Sequence, residues 1–260
     1  MTDRVSDAVE GLDPTAVLSV RGLRLGFGQY LVLDGLDLDV REHECVVLLG
    51  ASGSGKSTLL RAIDLLEEVE DGVIALRGED VTDPRVNADR VRARLGLVFQ
   101  AFNLFGHLTV LDNLTLAPRL VHGQDRDTAE AAALAMLERV GLAGRERAYP
   151  EQLSGGQQQR AAIARALVTS PDLLLLDEVT SALDPALVGE VLDLLAEVRA
   201  AGTTMLVATH ELGFARRVAD RVCFLHEGRV WESGPPSIID TPTTAELAAF
   251  LGSPPDRVRG

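Results

Sequence analysis

A glycine-rich segment contains the residues with the clearest potential for chemistry. It fits the pattern G-x-x-x-x-G-K-[ST] and lies between an apolar run and a helical pattern, the context that a phosphate-binding loop requires. Its glycines allow backbone N–H groups to turn toward phosphate oxygens, and the following helix adds the positive end of its dipole. We therefore predict that these residues bind the phosphates of a nucleotide: Gly50, Ala51, Ser52, Gly53, Ser54, Gly55, Lys56, Ser57 and Thr58.

Two side chains of this loop have distinct predicted roles. Lys56 is predicted to reach the β- and γ-phosphates, and the hydroxyl of Ser57 to ligate Mg²⁺. Lys56 is the only lysine of the chain, and the rest of its 25 lysine and arginine residues are arginines. Because an ammonium group is a compact point charge and guanidinium is a planar fork, the lysine at this position argues against a stray residue in a flexible glycine turn.

An acidic pair, Asp177 and Glu178, directly follows four leucines at 173–176. Carboxylates at the carboxyl end of a buried strand face the crevice in which α/β sheets bind ligands. Asp177 is predicted to hold Mg²⁺, directly or through water. Glu178 is predicted to be the base that polarises the attacking water, a contribution of roughly 10²–10⁴-fold. Acidic residues are common at strand ends, so this interpretation depends on the phosphate loop.

The elements that must position these residues alternate between strand and helix. Apolar runs at 45–49, 173–176 and 203–209 predict buried strands, and two alternating segments near the N-terminus predict half-buried antiparallel strands. Residues 103–170 have a mainly helical pattern, and residues 221–234 resemble a hairpin that turns at Glu227 and Gly228. This order predicts the α/β class, with a P-loop NTPase core, a mainly parallel sheet, an antiparallel N-terminal sheet and a helical subdomain.

The chain of 260 residues is expected to form one domain over residues 17–252. Its core would comprise about 17–102 and 171–252, and its helical subdomain about 103–170. Residues 1–16 and 253–260 are expected to be flexible tails.

Composition argues against several classes of protein. The net charge of −14 disfavours a nucleic-acid-binding surface, which would be basic. No apolar run approaches the length of a membrane span, and the N-terminal residues lack the apolar core of a signal peptide. We therefore expect membrane association to come through a partner. Cys45 and Cys223 lie in apolar runs and are expected to pack as small hydrophobic residues rather than to form a disulfide.

A pair of glycines marks the start of another helical pattern, in the segment Leu153-Ser154-Gly155-Gly156-Gln157. The spacing of Ser154 and Gln157 is that of a capping box, which alone would indicate an ordinary helix start. Two glycines in the first turn, however, weaken a helix. They are explained if backbone N–H groups must approach a phosphate closely at this helix N-terminus.

The order of these motifs resembles that of ABC-type ATPases, in which an LSGGQ signature lies between the phosphate loop and the acidic pair. The resemblance implies ATP and Mg²⁺ as the bound groups. It also implies that Ser154, Gly156 and Gln157 of one subunit close on the ATP that a second subunit holds at its phosphate loop. Two ATP molecules would then lie at a two-fold interface.

Other positions match further elements of the family. Gln100 matches the Q-loop residue that senses the γ-phosphate and Mg²⁺ and takes part in catalysis, and Asp184 ends the D-loop segment beside the nucleotide. His210 matches the switch histidine at the γ-phosphate, although such a residue considered alone would more often belong to the core. Phe27 matches the aromatic residue that stacks on adenine, with Tyr30 as the alternative.

The resemblance extends over about residues 17–251 and is strongest for the ATPase subunits of bacterial polar amino acid importers. It implies a homodimer, or a pair with a similar ATPase subunit, held by transmembrane permease subunits at the cytoplasmic face of the cell membrane. An extracytoplasmic solute-binding protein would deliver the solute, and no nucleic acid would be involved. The alternatives are an exporter or lipoprotein-release ATPase and a soluble ATPase of iron–sulfur cluster assembly. A DNA-repair or chromosome-organising ATPase would normally carry coiled-coil insertions or basic surfaces.

Two residues depart from the family pattern. Val179 stands where a proline usually follows the catalytic glutamate, and Gly106 replaces a common proline in the Q-loop region. Because proline fixes φ and glycine frees it, we expect such changes to affect loop stiffness and the turnover rate. Neither removes a group that handles phosphate, so an active ATPase is expected.

Overall fold

The computed structural model of the protein describes residue 13 and residues 15–252. The first strand begins at Ala16, which is buried, so the described chain is ordered one residue before the predicted domain start. Most of the two predicted flexible tails lies outside the described residues. The strands are β1 (Ala16–Phe27), β2 (Tyr30–Arg41), β3 (Cys45–Leu49), β4 (Asp71–Leu76), β5 (Glu79–Asp80), β6 (Leu95–Val98), β7 (Leu173–Asp177), β8 (Met205–Ala208), β9 (Arg221–His226) and β10 (Arg229–Gly234).

Six of these strands form the central sheet, in the order β10-β9-β3-β8-β7-β6. All neighbours pair in parallel except β9 and β10, which form the predicted hairpin. The remaining strands form an antiparallel sheet in the order β2-β1-β4-β5. The predicted combination of a mainly parallel sheet and an antiparallel N-terminal sheet is therefore present.

Helices connect the parallel strands. Those of the described residues are α1 (Lys56–Ile63), α2 (Ala88–Arg92), α3 (Val110–Leu120), α4 (Arg126–Arg139), α5 (Gly155–Leu167), α6 (Pro185–Ala200), α7 (Leu212–Val218) and α8 (Ala245–Phe250). Helices α3 to α5 lie between β6 and β7 in the chain, where the helical subdomain is expected. The exact division of the chain into core and subdomain stays a prediction. Among the described residues, no helix has both the length and the apolar character needed to cross a membrane.

The central strands are apolar on both faces because each face is covered. Alternate residues of β3, such as Val47 and Leu49, point into a core shared with α3 to α7. Their neighbours Val46 and Leu48 point into a second core shared with the antiparallel sheet and α1. Cys45 and Cys223 are both buried and form no disulfide, as predicted. The sheet is therefore held rigidly between two apolar layers, which fixes the positions of the loops at its edge.

An ion-pair network ties the central sheet to the antiparallel sheet. Asp172, directly before β7, accepts hydrogen bonds from Arg77 Nε at 2.7 Å and from Arg94 Nε at 2.9 Å. The two arginines also contact Glu42 and Glu79. Partial burial raises the pKa of Asp172, but the bonds from Arg77 and Arg94 outweigh it and lower that pKa below its ordinary value.

We expect Asp172→Asn to lower the free energy of unfolding at neutral pH by about 1 kcal/mol, since the network is partly solvent-exposed. A carboxylate whose pKa is lower in the folded state stabilises above its unfolded pKa, and this contribution is lost as the pH falls through the folded pKa. Urea denaturation should therefore show a difference from wild type that shrinks below the ordinary value of 3.8. The control is Asp193→Asn, which removes the exposed pair with Arg217 and should change little. An equal difference at every pH would contradict the assignment.

Candidate functional site

The candidate site lies at the carboxyl edge of the central sheet. The loops after β3, β8, β7 and β6 all leave the sheet at this edge, because these strands are parallel neighbours. They carry the phosphate loop, His210, the acidic pair and Gln100, respectively. Ligands bind at such edges in α/β proteins, so the topology brings together four segments that are far apart in the chain.

The phosphate loop surrounds the start of α1 with backbone, because its glycines have no side chains there. Gly55, the N-cap of α1, has a φ of 102°, and a Cβ there would lie 2.7 Å from Leu33 Cδ2. A Cβ on Gly50 would lie 2.5 Å from the carbonyl oxygen of Leu225. No side chain caps α1, and its first turn carries no acidic residue. The unpaired N–H groups of this turn are thus free to bind an anion such as phosphate.

Lys56 is buried at the centre of the site. Its Nζ donates to the carbonyl oxygens of Gly50 at 2.9 Å and Ala51 at 3.1 Å, and it lies 3.7 Å from Glu178 Oε1. Burial lowers the pKa of Lys56, and the carboxylate of Glu178 opposes that shift. The ammonium group therefore closes the loop and stands beside the acidic pair, where an added phosphate would gain a positive partner.

Ser57 and Asp177 form the second contact of the site. Ser57 Oγ donates to Asp177 Oδ1 at 2.7 Å. Burial raises the pKa of Asp177, the neighbouring Glu178 raises it further, and the Ser57 hydroxyl opposes both. A bound cation would relieve this unfavourable placement of a carboxylate. Within the described part of the chain, no group of three or more His, Cys, Asp or Glu residues could hold a metal ion. A hydroxyl and one carboxylate suit Mg²⁺, which takes its other oxygen ligands from phosphates and water.

Glu178, in the loop after β7, contacts His210, in the loop after β8. His210 Nε2 lies 2.7 Å from Glu178 Oε1, and the backbone N–H of Glu178 donates to the carbonyl oxygen of Ala208 at 2.9 Å. Glu178 has a φ of 47°, which is unusual for a residue with a side chain. Ser181 steadies the turn, because its Oγ donates to the carbonyl oxygen of Glu178 at 2.8 Å. A costly backbone conformation held by several bonds is typical of functional sites.

Val179 leaves the site immediately after Glu178. Its side chain is buried in the core shared with the helices, and only 4% of the residue is exposed. The departure from proline therefore adds no group to the site. A Cβ on Gly106 would have no atom within 4 Å apart from its chain neighbours, so space at the Cβ does not require glycine there.

Among the hydrogen bonds and ion pairs of the described residues, none joins the other predicted site residues to this cluster. Gln100 is exposed beyond the end of β6. Phe27 and Tyr30 pair across the β1–β2 turn and are 49% and 81% exposed, so the two candidates for adenine stacking stay open. Asp184 is the N-cap residue of α6, and its side chain makes no capping hydrogen bond.

The glycine pair begins helix α5 as the spacing predicts. Ser154 Oγ accepts from the N–H of Gln157 at 3.3 Å, and Gln157 Oε1 accepts from the N–H of Ser154 at 3.1 Å, completing the capping box. A Cβ on Gly156 would lie 3.4 Å from Leu187 Cβ, an ordinary contact. Among the hydrogen bonds of the described residues, none joins this segment to residues 50–58 of the same chain.

Two functional candidates were missed from the sequence. Arg165, near the end of α5, donates to the carbonyl oxygen of Asn103 at 2.7 Å. Asn113 of α3 is 1% exposed and holds the loop before it, accepting from Phe105 N at 2.8 Å and donating to Thr109 O at 2.9 Å. In the sequence, each appears only as a polar residue within a mainly apolar helical pattern. That pattern does not identify the group to which the residue is hydrogen-bonded.

Comparison with a protein family supports the motif assignments. The family model described as ABC transporter matches residues 33–181, more than half of the chain. This range includes the phosphate loop, the glycine pair at the start of α5 and the acidic pair. It ends before His210.

Curated relatives match over most of their length. The glutamate transport ATP-binding protein GluA of Corynebacterium glutamicum is 47% identical over 91% of this chain and 98% of the relative. The glutamine transport ATP-binding protein GlnQ of Escherichia coli is 48% identical over 86% of this chain and 94% of the relative. The octopine permease ATP-binding protein P of Rhizobium radiobacter is 47% identical over 90% and 94%.

Solved structures share the fold. A dimeric ATP-binding cassette in a post-hydrolysis state, bound to ADP and Pi, has a TM-score of 0.74 and 32% identity, covering 84% of this chain and 98% of that chain. The protein cbiO1 from Clostridium perfringens, part of the ABC transporter complex cbiONQ, has a TM-score of 0.79 and 28% identity, covering 92% and 95%. These similarities confirm the predicted fold class.

Proposed function

The chain belongs to the ABC transporter family of ATP-hydrolysing proteins, and we propose that it powers the import of polar amino acids through membrane permease subunits. The main observation in support of ATP hydrolysis is the position of Glu178 Oε1, which lies 2.7 Å from His210 Nε2 and 3.7 Å from Lys56 Nζ. A carboxylate, an imidazole and an ammonium group thus converge beside an uncapped helix N-terminus. This set suits in-line attack of water on a terminal phosphate.

Glu178 is the proposed general base. Its carboxylate orients the attacking water and accepts the proton that the water loses as the new P–O bond forms. The bond from the γ-phosphorus to the bridging oxygen of ATP breaks, which yields ADP and phosphate. His210 holds the Glu178 carboxylate in place and contacts the γ-phosphate.

The developing negative charge is stabilised by groups already in position. Lys56 and the N–H groups of residues 50–58 surround the β- and γ-phosphates. Ser57 and Asp177 would hold Mg²⁺, with Gln100 as a further ligand, and the ion would supply positive charge beside the phosphate oxygens. Phe27, or Tyr30 in its place, stacks on the adenine ring.

Two copies of the chain together form each complete ATP site. The support is the position of Ser154, Gly156 and Gln157, which form no hydrogen bond with the phosphate loop of their own chain within the described residues. Ser154 is exposed at the start of α5, and the two glycines that follow it allow their backbone N–H groups to approach a phosphate held elsewhere. Asp184 would lie beside the same interface. The dimeric neighbour bound to ADP and Pi supports this arrangement by analogy.

A groove beside Gln100 is the proposed docking site for a permease. Its volume is about 1090 Å³, and its apolar lining includes Leu97, Phe99, Leu116 and Leu120. Leu120 and its neighbour Val121, which both line the groove, are 75% and 56% exposed, so the apolar lining continues as a patch on the surface, which is typical of an interaction site. The occupant would be an apolar cytoplasmic segment of a permease subunit. Docking there would place the chain at the cytoplasmic face of the membrane.

The proposed solute class follows from the relatives named for glutamate, glutamine and octopine transport. An extracytoplasmic binding protein would deliver the solute. The test is uptake by proteoliposomes that contain the permease subunits co-purified with this chain, together with the binding protein. We expect ATP enclosed with the chain to drive uptake of at least one labelled polar amino acid. Vesicles that hydrolyse ATP but accumulate none of them, or that expel a substrate, would contradict import and favour the exporter alternative.

A further inference from the structure

The segment after β6 lies close to the start of helix α5 and is hydrogen-bonded to its last turn. At the start of the helix, the ring carbon Cζ of Phe102 lies 3.7 Å from the position of a Cβ on Gly155. In the last turn, Arg165 Nη1 donates to the carbonyl oxygen of Asn103 at 2.7 Å, and the guanidinium carbon lies 5.8 Å from the centre of the Phe105 ring. The residues that follow Gln100 thus bridge the helix that begins with the glycine pair.

The surroundings of Arg165 are unusual for an arginine. Among the ion pairs formed by the described residues, none includes Arg165. Its guanidinium is held by a carbonyl oxygen and an aromatic ring, and burial lowers the pKa of Arg165. Partly burying a cation without a carboxylate costs stability. A costly group that stabilises neither the core nor a surface ion pair points to a functional constraint.

The loop that Arg165 holds is also hydrogen-bonded to helix α3. Asn103 has a φ of 50°, a conformation that asparagine tolerates better than most residues. Asn113 binds the backbone of the same loop at Phe105, Leu108 and Thr109. Because Asn113 holds the loop on both sides of Gly106, we expect a movement at Gln100 to be passed on to the groups that the loop contacts.

We propose that Arg165 is a positioning residue that couples the state of Gln100 to the orientation of helix α5. This inference rests on the proposed function, in which Gln100 lies at the γ-phosphate and the start of α5 closes on the ATP of a second copy. ATP bound in one copy would draw Gln100 inward, and the loop from Asn103 to Phe105 would move α5 through Arg165. The helix N-terminus would then be aligned for the partner's nucleotide.

The test is ATP-dependent dimerisation, measured by light scattering in the Glu178→Gln background, which slows hydrolysis. We expect Arg165→Gln to raise the dimer dissociation constant about tenfold, the size of effect seen when a coupling residue is changed. Binding of a fluorescent ATP analogue to the single copy should change less than about twofold, because Arg165 touches no phosphate-binding residue. A purely structural defect would instead weaken dimerisation and ATP binding together.

Matched variants separate the possible causes. Arg119→Gln removes an exposed arginine from the last turn of α3 and should leave dimerisation unchanged. Phe105→Leu, at a position that is 44% exposed, should fold normally and also weaken the dimer. Combined with Arg165→Gln, it should add little, since both remove one contact. Full additivity, or normal dimerisation of both single variants, would overturn the inference. Failure of the Glu178→Gln parent to dimerise would instead contradict the proposed function.

Discussion

The Glu178→Gln variant is expected to release phosphate from ATP about 10²- to 10⁴-fold more slowly than the wild type, because an amide cannot accept the proton of the attacking water. The variant should still bind ATP, since Lys56 and the phosphate loop are unchanged. It should also elute as a dimer in ATP, because hydrolysis is the step that reopens the interface. The measurements are phosphate release under saturating ATP and light scattering with and without ATP.

A matched control excludes an effect of charge alone. Glu138→Gln makes the same change at an exposed position on α4 and should keep the wild-type rate. The variant at Glu178 also loses the negative partner of Lys56 and His210, so its nucleotide affinity is expected to rise rather than fall. Phosphate release at the wild-type rate by Glu178→Gln would show that another group activates the water.

Local features of the fold could be predicted from the sequence. The capping box of Ser154 and Gln157 and the hairpin turn at Glu227 and Gly228 both depend on residues close together in the chain, and both are present. The buried strands followed from apolar runs that were long enough to be covered on both faces. The phosphate loop was recognisable because its glycines, lysine and serine must follow one another directly.

Contacts between distant segments could not be predicted in the same way. The bond from Arg165 to Asn103 joins residues 62 positions apart, and neither residue type indicates the other. Strand β6 was not anticipated, because a glycine interrupts its apolar residues, whereas those of β8, a strand of the same length, are continuous. The bonds from Lys56 to the carbonyl oxygens of its own loop depend on the loop's final curvature. Tertiary packing decides such features, and sequence spacing does not contain it.

The sharing of each ATP site between two copies is a property of the assembly. It can be tested with two variants that are inactive for different reasons. Lys56→Ala removes the ammonium group from the phosphate loop. Gly156→Asp places a carboxylate where the second copy should approach the phosphates. Gly156 is buried beside Leu187, and a Cβ there would make an ordinary contact at 3.4 Å. Acidic residues favour the first turn of a helix, and thermal unfolding of the variant checks that the carboxylate is accommodated.

The most direct test of the central claim is phosphate release from an equal mixture of Lys56→Ala and Gly156→Asp copies, combined before ATP is added. Each variant alone should be inactive, and a thermal unfolding transition should show that each variant is folded. In the mixture, half of the dimers contain one of each copy and therefore one intact site, so about a quarter of the wild-type rate should return. No recovery, with mixed dimers demonstrated in the same sample, would contradict a site built from two chains. Wild-type activity of Gly156→Asp alone would contradict it equally.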